Sequence, residues 1–370
     1  MSGIFKLEPC TFKHFYNGGR LRAEFFGESD PKDDFRSESW IWSTTVANTP
    51  GRQNSPRKGF SKIIVPGSKR SEYLSDYLAA YPYEMLGEAH YASLGANLGV
   101  LLKVFNTGND THIPVHWHPT PEFAKKHLQS DSGKNEAWYI LSTGDYGKAW
   151  VGWQDKMSAS KVKKLVLESD VKALRSFMHE IHLVPGKLLG IPAGIAHSIG
   201  PDVCVLEPQE PTDFSFCGEP KVFPISEEEC HMGLGWDLAI EAVDLNALSD
   251  KRLHSDILCT HPVVHVQGSS TVEDMVTEYY RPYFWLDRIK VRAALDTHSE
   301  EAHCITVIEG RGYAMVSDES IMYMSKGESF FVPKTLMYSL ISTDEPFTVV
   351  RCFSQGVKTD WTKVKTISDF

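Results

Sequence analysis

Gly186-Lys-Leu-Leu-Gly-Ile-Pro192-Ala-Gly194-Ile-Ala-His197 is the stretch that decides the fold. A glycine opens a short β-rich run, a Pro-x-Gly turn closes it, and a histidine follows. The second half repeats this frame as Gly327-Glu-Ser-Phe-Phe-Val-Pro333-Lys-Thr-Leu-Met-Tyr338, with Tyr338 matched to His197. Upstream, Glu136-Ala-Trp-Tyr-Ile-Leu-Ser-Thr-Gly144 aligns with Ala302-His-Cys-Ile-Thr-Val-Ile-Glu-Gly310, which matches Glu136 to Ala302. The anchors Gly144 and Gly186 lie 42 residues apart, whereas Gly310 and Gly327 lie 17 apart. Two copies of one β unit are expected, with the surplus of the first copy at residues 158–180.

Outward from these anchors, Ile140-Leu141, Leu188–Ile191, Ile305–Ile308 and Phe330–Val332 are further β-rich runs between turn signals. Many short strands with Gly-rich turns indicate a sandwich or barrel. Helices are expected as local interruptions. One spans Pro121 to Gln129, with proline in its first turn. One or two lie in Ser158–Glu180, where Val162, Leu165, Val166, Leu174, Phe177 and Met178 suit an amphipathic face. Ser226-Glu-Glu-Glu229 has capping-box spacing, and Trp236, Ile240 and Val243 follow on one helix face. Residues 226–260 therefore read as a helical linker. It joins a first domain at 1–225, carrying an N-terminal β extension, to a second domain at 261–370.

Thirty-eight basic and 48 acidic residues in 370 give a net charge of −10. An acidic chain gains nothing from counterion release, so neither nucleic acid nor an anionic membrane is an expected partner. No run of about 18 apolar residues occurs, and Met1–Pro9 lacks the apolar core of a signal peptide. Seven cysteines without paired spacing are expected to be buried thiols of a reducing compartment. These features describe a cytoplasmic protein that handles a small molecule; homo-oligomerisation stays open.

His116-Trp117-His118 puts two imidazoles on the same face of a strand, about 7 Å apart along the backbone. Glu136 and His197 add a carboxylate and a third imidazole. This set suits one divalent ion, zinc first, with Mn, Fe, Co and Ni also compatible. The matched positions in the second copy carry no such set, so that copy is expected to be metal-free.

The His-x-His pair, the later Glu and the Gly-x₅-Pro-x-Gly-x-x-His pattern together resemble the two-part signature of the cupin barrel. Pro119–Leu128 followed by Gly133-Lys-Asn-Glu-Ala-Trp-Tyr-Ile-Leu141 is more specifically similar to the type I mannose-6-phosphate isomerases. Glu38-Ser39-Trp40 with Ser43, Glu84–Gly87, Leu101–Lys103, Leu206-Glu207 and Val307–Gly310 agree in order. The resemblance implies a mostly β protein with two cupin-like (jelly-roll) barrels and helical insertions. It also implies a metal-dependent aldose–ketose isomerase that moves a proton between C1 and C2 through an enediol. By the same resemblance Glu207 is the candidate base and Lys134 a second catalytic residue. Trp138 and Lys221 are candidate substrate contacts.

Two departures stand out. His116 occupies a metal position usually held by Gln in that family. Cys217 falls where the family carries a catalytic Arg, with Lys221 the nearest cation, and a lysine is not a bidentate phosphate clamp. The substrate is thus a sugar phosphate or a free aldose such as mannose or lyxose. A non-catalytic, metal-containing sugar-binding cupin and an iron-dependent cupin oxygenase are the other classes.

Overall fold

The strand Val203–Gln209 is buried along its whole length. Its alternate residues serve two cores. Val203 and Val205 pack with Trp138, Ile140, Val151 and Ile199, while Cys204 and Leu206 pack with Ala137, Tyr139, Phe331 and Val350. Successive side chains of a strand point to opposite faces, so a strand apolar at every position must be covered on both sides.

A computed structural model describes residues 3–48, 55–65, 70–145, 147–298, 301–316 and 320–354. Three sheets build the molecule. A six-stranded sheet takes Leu188–Ile191, Glu136–Thr143, Val203–Gln209, Leu101–Asn106, Glu38–Trp42 and Cys10–Phe12, in that order. A five-stranded sheet takes Met178–His182, Lys148–Trp153, His197–Ile199, His116–Trp117 and Phe216–Cys217. Together they enclose the first barrel. An 11-stranded sheet, most of it from Val263 to Phe353, forms the second. The architecture is mostly β, as expected for two cupin-like barrels.

The repeat has a backbone signature. Gly186 and Gly327 both open their strands at positive φ, 80° and 85°. Gly194 and its counterpart Thr335 both turn the chain at positive φ, 84° and 62°. The pairing register corrects one match, however. Ile191 lies opposite Glu136, and the corresponding Val332 lies opposite His303, not Ala302. His303 therefore holds the position of Glu136, and its Nε2 accepts a hydrogen bond from Tyr338 Oη at 2.8 Å. Beside it, Arg351 and Asp287 form a fully buried ion pair.

Helices cover the outer face of the five-stranded sheet. Pro121–His127 starts on Thr120, whose side chain accepts from the Phe123 amide. Ala159–Glu168 and Val171–Ser176 start on Ser158 and Asp170 in the same way. The expected helical stretch ends earlier than its apolar spacing implied, because Met178 already belongs to a strand. The Ser226 capping box is formed. Trp236 and Ile240 of Trp236–Glu241 pack beneath these helices against Trp117 and Phe216. Truncating a buried tryptophan such as Trp117 costs about 3–5 kcal/mol, and here it would loosen the strand between His116 and His118.

At the N-terminus the strand Phe5–Glu8 bridges two neighbours: Phe5 and Lys6 pair with Phe331 and Phe330 of the second barrel, and Leu7 and Glu8 with Ile63 and Lys62. Phe5 and Leu7 are apolar residues that fill the layer between the barrels. Residues 355–370 of the expected second domain lie outside the described residues. No described helix is long and apolar enough to cross a membrane. All seven cysteines are free, six of them buried.

Candidate metal centre

His116 and His197 face each other as partners on neighbouring antiparallel strands. Trp117 points to the opposite face, into the helical layer. His118 and Glu136 complete the group, and the ligand atoms of all four lie within 4.8 Å of one another. Among the described residues this is the single group of three or more such side chains.

The ring orientations are set from behind. Nδ1 of His116, His118 and His197 lies 2.7, 2.8 and 2.7 Å from the carbonyl oxygens of Pro114, Phe214 and Ile195. A carbonyl only accepts, so each neutral ring carries its proton on Nδ1 and offers a bare Nε2. Burial, reinforced by neighbouring imidazoles, holds His116 well below the ordinary histidine value. Burial and Lys134 bring His118 down to about 3. Burial works against ionisation of Glu136, but the Lys134 ammonium beside it favours the charged form, and its carboxyl is held well below the usual range.

His118 Nε2 lies 3.1 Å from Glu136 Oε2, and His197 Nε2 lies 3.3 Å from Glu136 Oε1. Both Nε2 atoms are buried without a hydrogen-bond partner, and Oε2 is buried without an aligned donor, although Lys134 Nζ lies 3.1 Å away. Lone pairs brought this close repel unless a cation lies among them. Three imidazole nitrogens and one carboxylate are the donors a borderline divalent ion prefers. The residues present fit such an ion.

The loop before Glu136 is held tightly. Glu210 accepts from the amides of Gly133 and Asn135 at 3.1 and 2.8 Å, and from Asn135 Nδ2 at 2.8 Å. Asn135 Oδ1 in turn accepts from the Ala193 amide at 2.9 Å and Tyr279 Oη at 3.0 Å. This one asparagine ties the Glu136 loop to the turn that delivers His197. Gly133 is required there, since a Cβ would sit 2.5 Å from the Pro119 carbonyl oxygen. The pattern gave no reason to single out Asn135 or Glu210, whose roles depend on three segments meeting.

A cavity of about 610 Å³ opens beside the four ligand-type residues, with His116 and Glu136 in its wall. Lys134, Trp138 and Glu207 also line it. Lys134 Nζ lies 3.1 Å from Glu136 Oε2. Trp138 Nε1 donates to Glu207 Oε2 at 3.1 Å. Glu207 Oε1 is buried and has no aligned donor, although Lys103 Nζ is 3.2 Å away. Burial and then the Glu136 charge push the Glu207 carboxyl up to about 8.

Lys221 is not brought to this place. It is exposed and absent from the cavity wall, and its amide donates to Ser169 Oγ at 3.1 Å. The turn after Cys217 carries it outward, away from the cavity wall. Cys217 does line the cavity, register partner of His116. A hydrogen bond with Cys230, together with burial, pushes its thiol well up.

A second lysine faces the cavity beside Lys134: Lys103, 5% exposed. Its Nζ lies between Glu207 Oε1 and Glu38 Oε2, 3.2 and 3.4 Å away. Burial opposes its charge, but these carboxylates hold its pKa raised. Glu38 also accepts from Tyr16 Oη and Trp40 Nε1, both at 2.8 Å. A lysine in an otherwise apolar strand, Leu101-Leu-Lys103-Val-Phe105, was the available signal.

No family model matches the chain. It is 22% identical over 336 residues to a mannose-6-phosphate isomerase from Bacillus subtilis, covering 88% of this chain and 93% of that protein. A mannose-6-phosphate isomerase from Streptococcus mutans is 22% identical over 332 residues, covering 89% and 92%. The crystal structure of the mannose 6-phosphate isomerase from Bacillus subtilis superposes with a TM-score of 0.74 at 19% identity, covering 95% of this chain and 99% of that one. These relatives are named mannose-6-phosphate isomerases, and the chain shares the fold of the solved one.

Proposed function

We propose that the protein is a metal-dependent aldose–ketose isomerase of the mannose-6-phosphate isomerase kind. The observation that carries this reading is the convergence of His116, His118, Glu136 and His197 beside a buried, unsatisfied Glu207 oxygen in one cavity. Those four residues would hold the ion, with zinc the expected metal. When bound, a divalent ion would act as a Lewis acid toward the sugar oxygens.

The chain's own groups account for the proton movements. Glu207 takes the proton from C2 of the open-chain aldose. The C1 carbonyl oxygen gains a proton as the double bond shifts to C1–C2, giving the enediol. A proton returned to C1 and one lost from the C2 hydroxyl complete the ketose, with no external oxidant or reductant. A base with a raised pKa suits the abstraction of a weakly acidic C–H proton. Lys134 holds a sugar hydroxyl or relays its proton. Lys103 and Trp138 position Glu207, the first by charge and the second by its hydrogen bond.

The test is conversion of an aldose to its 2-ketose by the zinc-loaded protein, compared with Glu207→Gln. This reading expects turnover by the first and a loss of about 10²–10⁴-fold in kcat by the second. Bound metal without turnover of any aldose would leave only a sugar-binding cupin.

A further inference from the structure

The second barrel carries opposite charges at the positions that hold the candidate base and its lysine in the first. Glu207 and Lys103 are register partners on neighbouring strands. Leu206 lies opposite Tyr139, three residues beyond Glu136, and Val350 lies opposite Thr306, three beyond His303. Arg351 therefore holds the position of Glu207, and its register partner Asp287 holds that of Lys103. Thr297 pairs with Tyr338 as His116 pairs with His197. The Arg351 guanidinium donates to both oxygens of Asp287 and to Thr297 Oγ1, and all three residues are buried. This centre is neutralised from within, and opening it would strand a buried charge. It needs no ion to hold its strands.

A barrel locked in this way is a rigid support for its neighbour. It meets the first barrel at the edge strand Leu188–Ile191, which lies beside the Glu136 strand. Arg288 donates to the Gly186 carbonyl and, at 3.3 Å, to Tyr139 Oη. Tyr280 is fully buried and packs over Gly190, where a Cβ would sit 2.3 Å from its hydroxyl oxygen. Its neighbour Tyr279 donates at 3.0 Å to Oδ1 of Asn135, the residue before Glu136. Both tyrosines belong to the turn between Ser270–Asp274 and Trp285–Val291 of the second sheet. Burial pushes the Tyr279 phenol up, so it remains a donor across the working pH range.

We propose that the second barrel is a metal-independent brace for the metal centre, with Tyr279 the positioning residue through which it holds Glu136. Asn135 is the point of transmission. It is fully buried; its Oδ1 accepts from the Tyr279 hydroxyl and the Ala193 amide, while its Nδ2 and amide donate to Glu210. Without the hydroxyl this buried acceptor keeps one donor, and the side chain is freer to turn. Glu136 follows Asn135 in the chain, and His197 lies just beyond Ala193, so ligand placement loosens at both. The brace rests on the metal-binding part of the isomerase reading and is independent of the sugar.

The test is Tyr279→Phe in the full chain, which keeps the ring and its packing and removes only the hydroxyl. Zinc affinity is measured by competition with a chromogenic chelator, and ligand geometry by the visible absorption spectrum of the cobalt-loaded protein. The expected result is an altered cobalt spectrum and about 10-fold weaker zinc binding, the lower end of what losing an outer support costs. In an Asn135→Ala background the same change is expected to have no further effect, because the route runs through that side chain. A lower melting temperature with unchanged affinity and spectrum overturns the proposal, and so does an undiminished effect in the Asn135→Ala background. Either outcome leaves the isomerase reading standing, whereas failure to turn over any aldose removes that reading and leaves the brace.

Discussion

Trp138 Nε1 donates a 3.1 Å hydrogen bond to Glu207 Oε2, while Oε1 of the same carboxylate has no aligned donor. One oxygen is anchored and the other is available to take a proton. The tryptophan is delivered by the strand that carries Glu136, two residues earlier and on the same face. Base and metal-ligand candidates are thus placed by one piece of backbone.

The hydrogen bond stabilises the charged carboxylate, so its loss raises the Glu207 pKa further. A base works when ionised, and kcat/KM falls as the pH drops through its pKa. Trp138→Phe is therefore expected to move the acid limb of the pH–rate profile to higher pH. In the unmodified protein that limb should already lie above the ordinary carboxylate value, since burial and Glu136 push Glu207 up. Profiles of kcat/KM for the two proteins check both points.

Glu210 touches none of the four ligand-type side chains through a hydrogen bond, yet it holds the Gly133–Asn135 loop in place. Replacing it with alanine is expected to weaken metal affinity by about 10–100-fold, the usual cost of removing an outer support. Competition with a chromogenic chelator measures this without reference to activity. A structural role limited to folding would lower the melting temperature and leave the affinity unchanged.

In the second barrel Arg351 and Asp287 are almost fully buried, and Arg351 Nη1 also donates to Thr297 Oγ1 at 2.7 Å. Removing one partner, as in Arg351→Met, leaves an unpaired buried charge and should cost about 3–5 kcal/mol. Replacing both, with Asp287→Leu added, should recover much of that loss. Denaturant unfolding of the two variants checks the sign of the difference.

His261 Nε2 accepts a hydrogen bond from the Leu188 amide at 3.3 Å, which requires the neutral ring. Burial, then Arg288 and Lys187, bring its pKa down to about 4. A histidine depressed in the folded state contributes stability that is present above the unfolded value of 6.5 and lost as pH falls toward 4. Between about pH 7.5 and about pH 5, His261→Gln should therefore lose less melting temperature than the unmodified protein.

Much of this was legible in the chain itself. The Gly-x₅-Pro spacing marks a strand followed by a turn, and both copies form it because each turn needs positive φ at its ends. His116 and His118 share a face because strand periodicity demands it, with Trp117 taken up by the helices behind. What stayed hidden depends on tertiary meeting. Lys103 is one residue in an apolar strand until Glu38 and Glu207 arrive beside it. The matched position of Glu136 slid from Ala302 to His303 because a one-residue shift in pairing leaves the composition pattern unchanged. The outward direction of Lys221 is set by the turn after Cys217, which proximity in sequence does not reveal. The two partners of Phe5–Glu8 are not legible either, because a four-residue strand does not specify them.

The most direct test of the central claim is exchange of the C2 proton of an aldose in deuterated water, followed by NMR with the protein stripped of metal and then reloaded with zinc. The account predicts no exchange without metal and recovery at about one bound ion per chain. It also predicts loss of both metal and exchange in His118→Ala. Exchange by the stripped protein, or a zinc-loaded protein that binds sugar and never exchanges the proton, would contradict it.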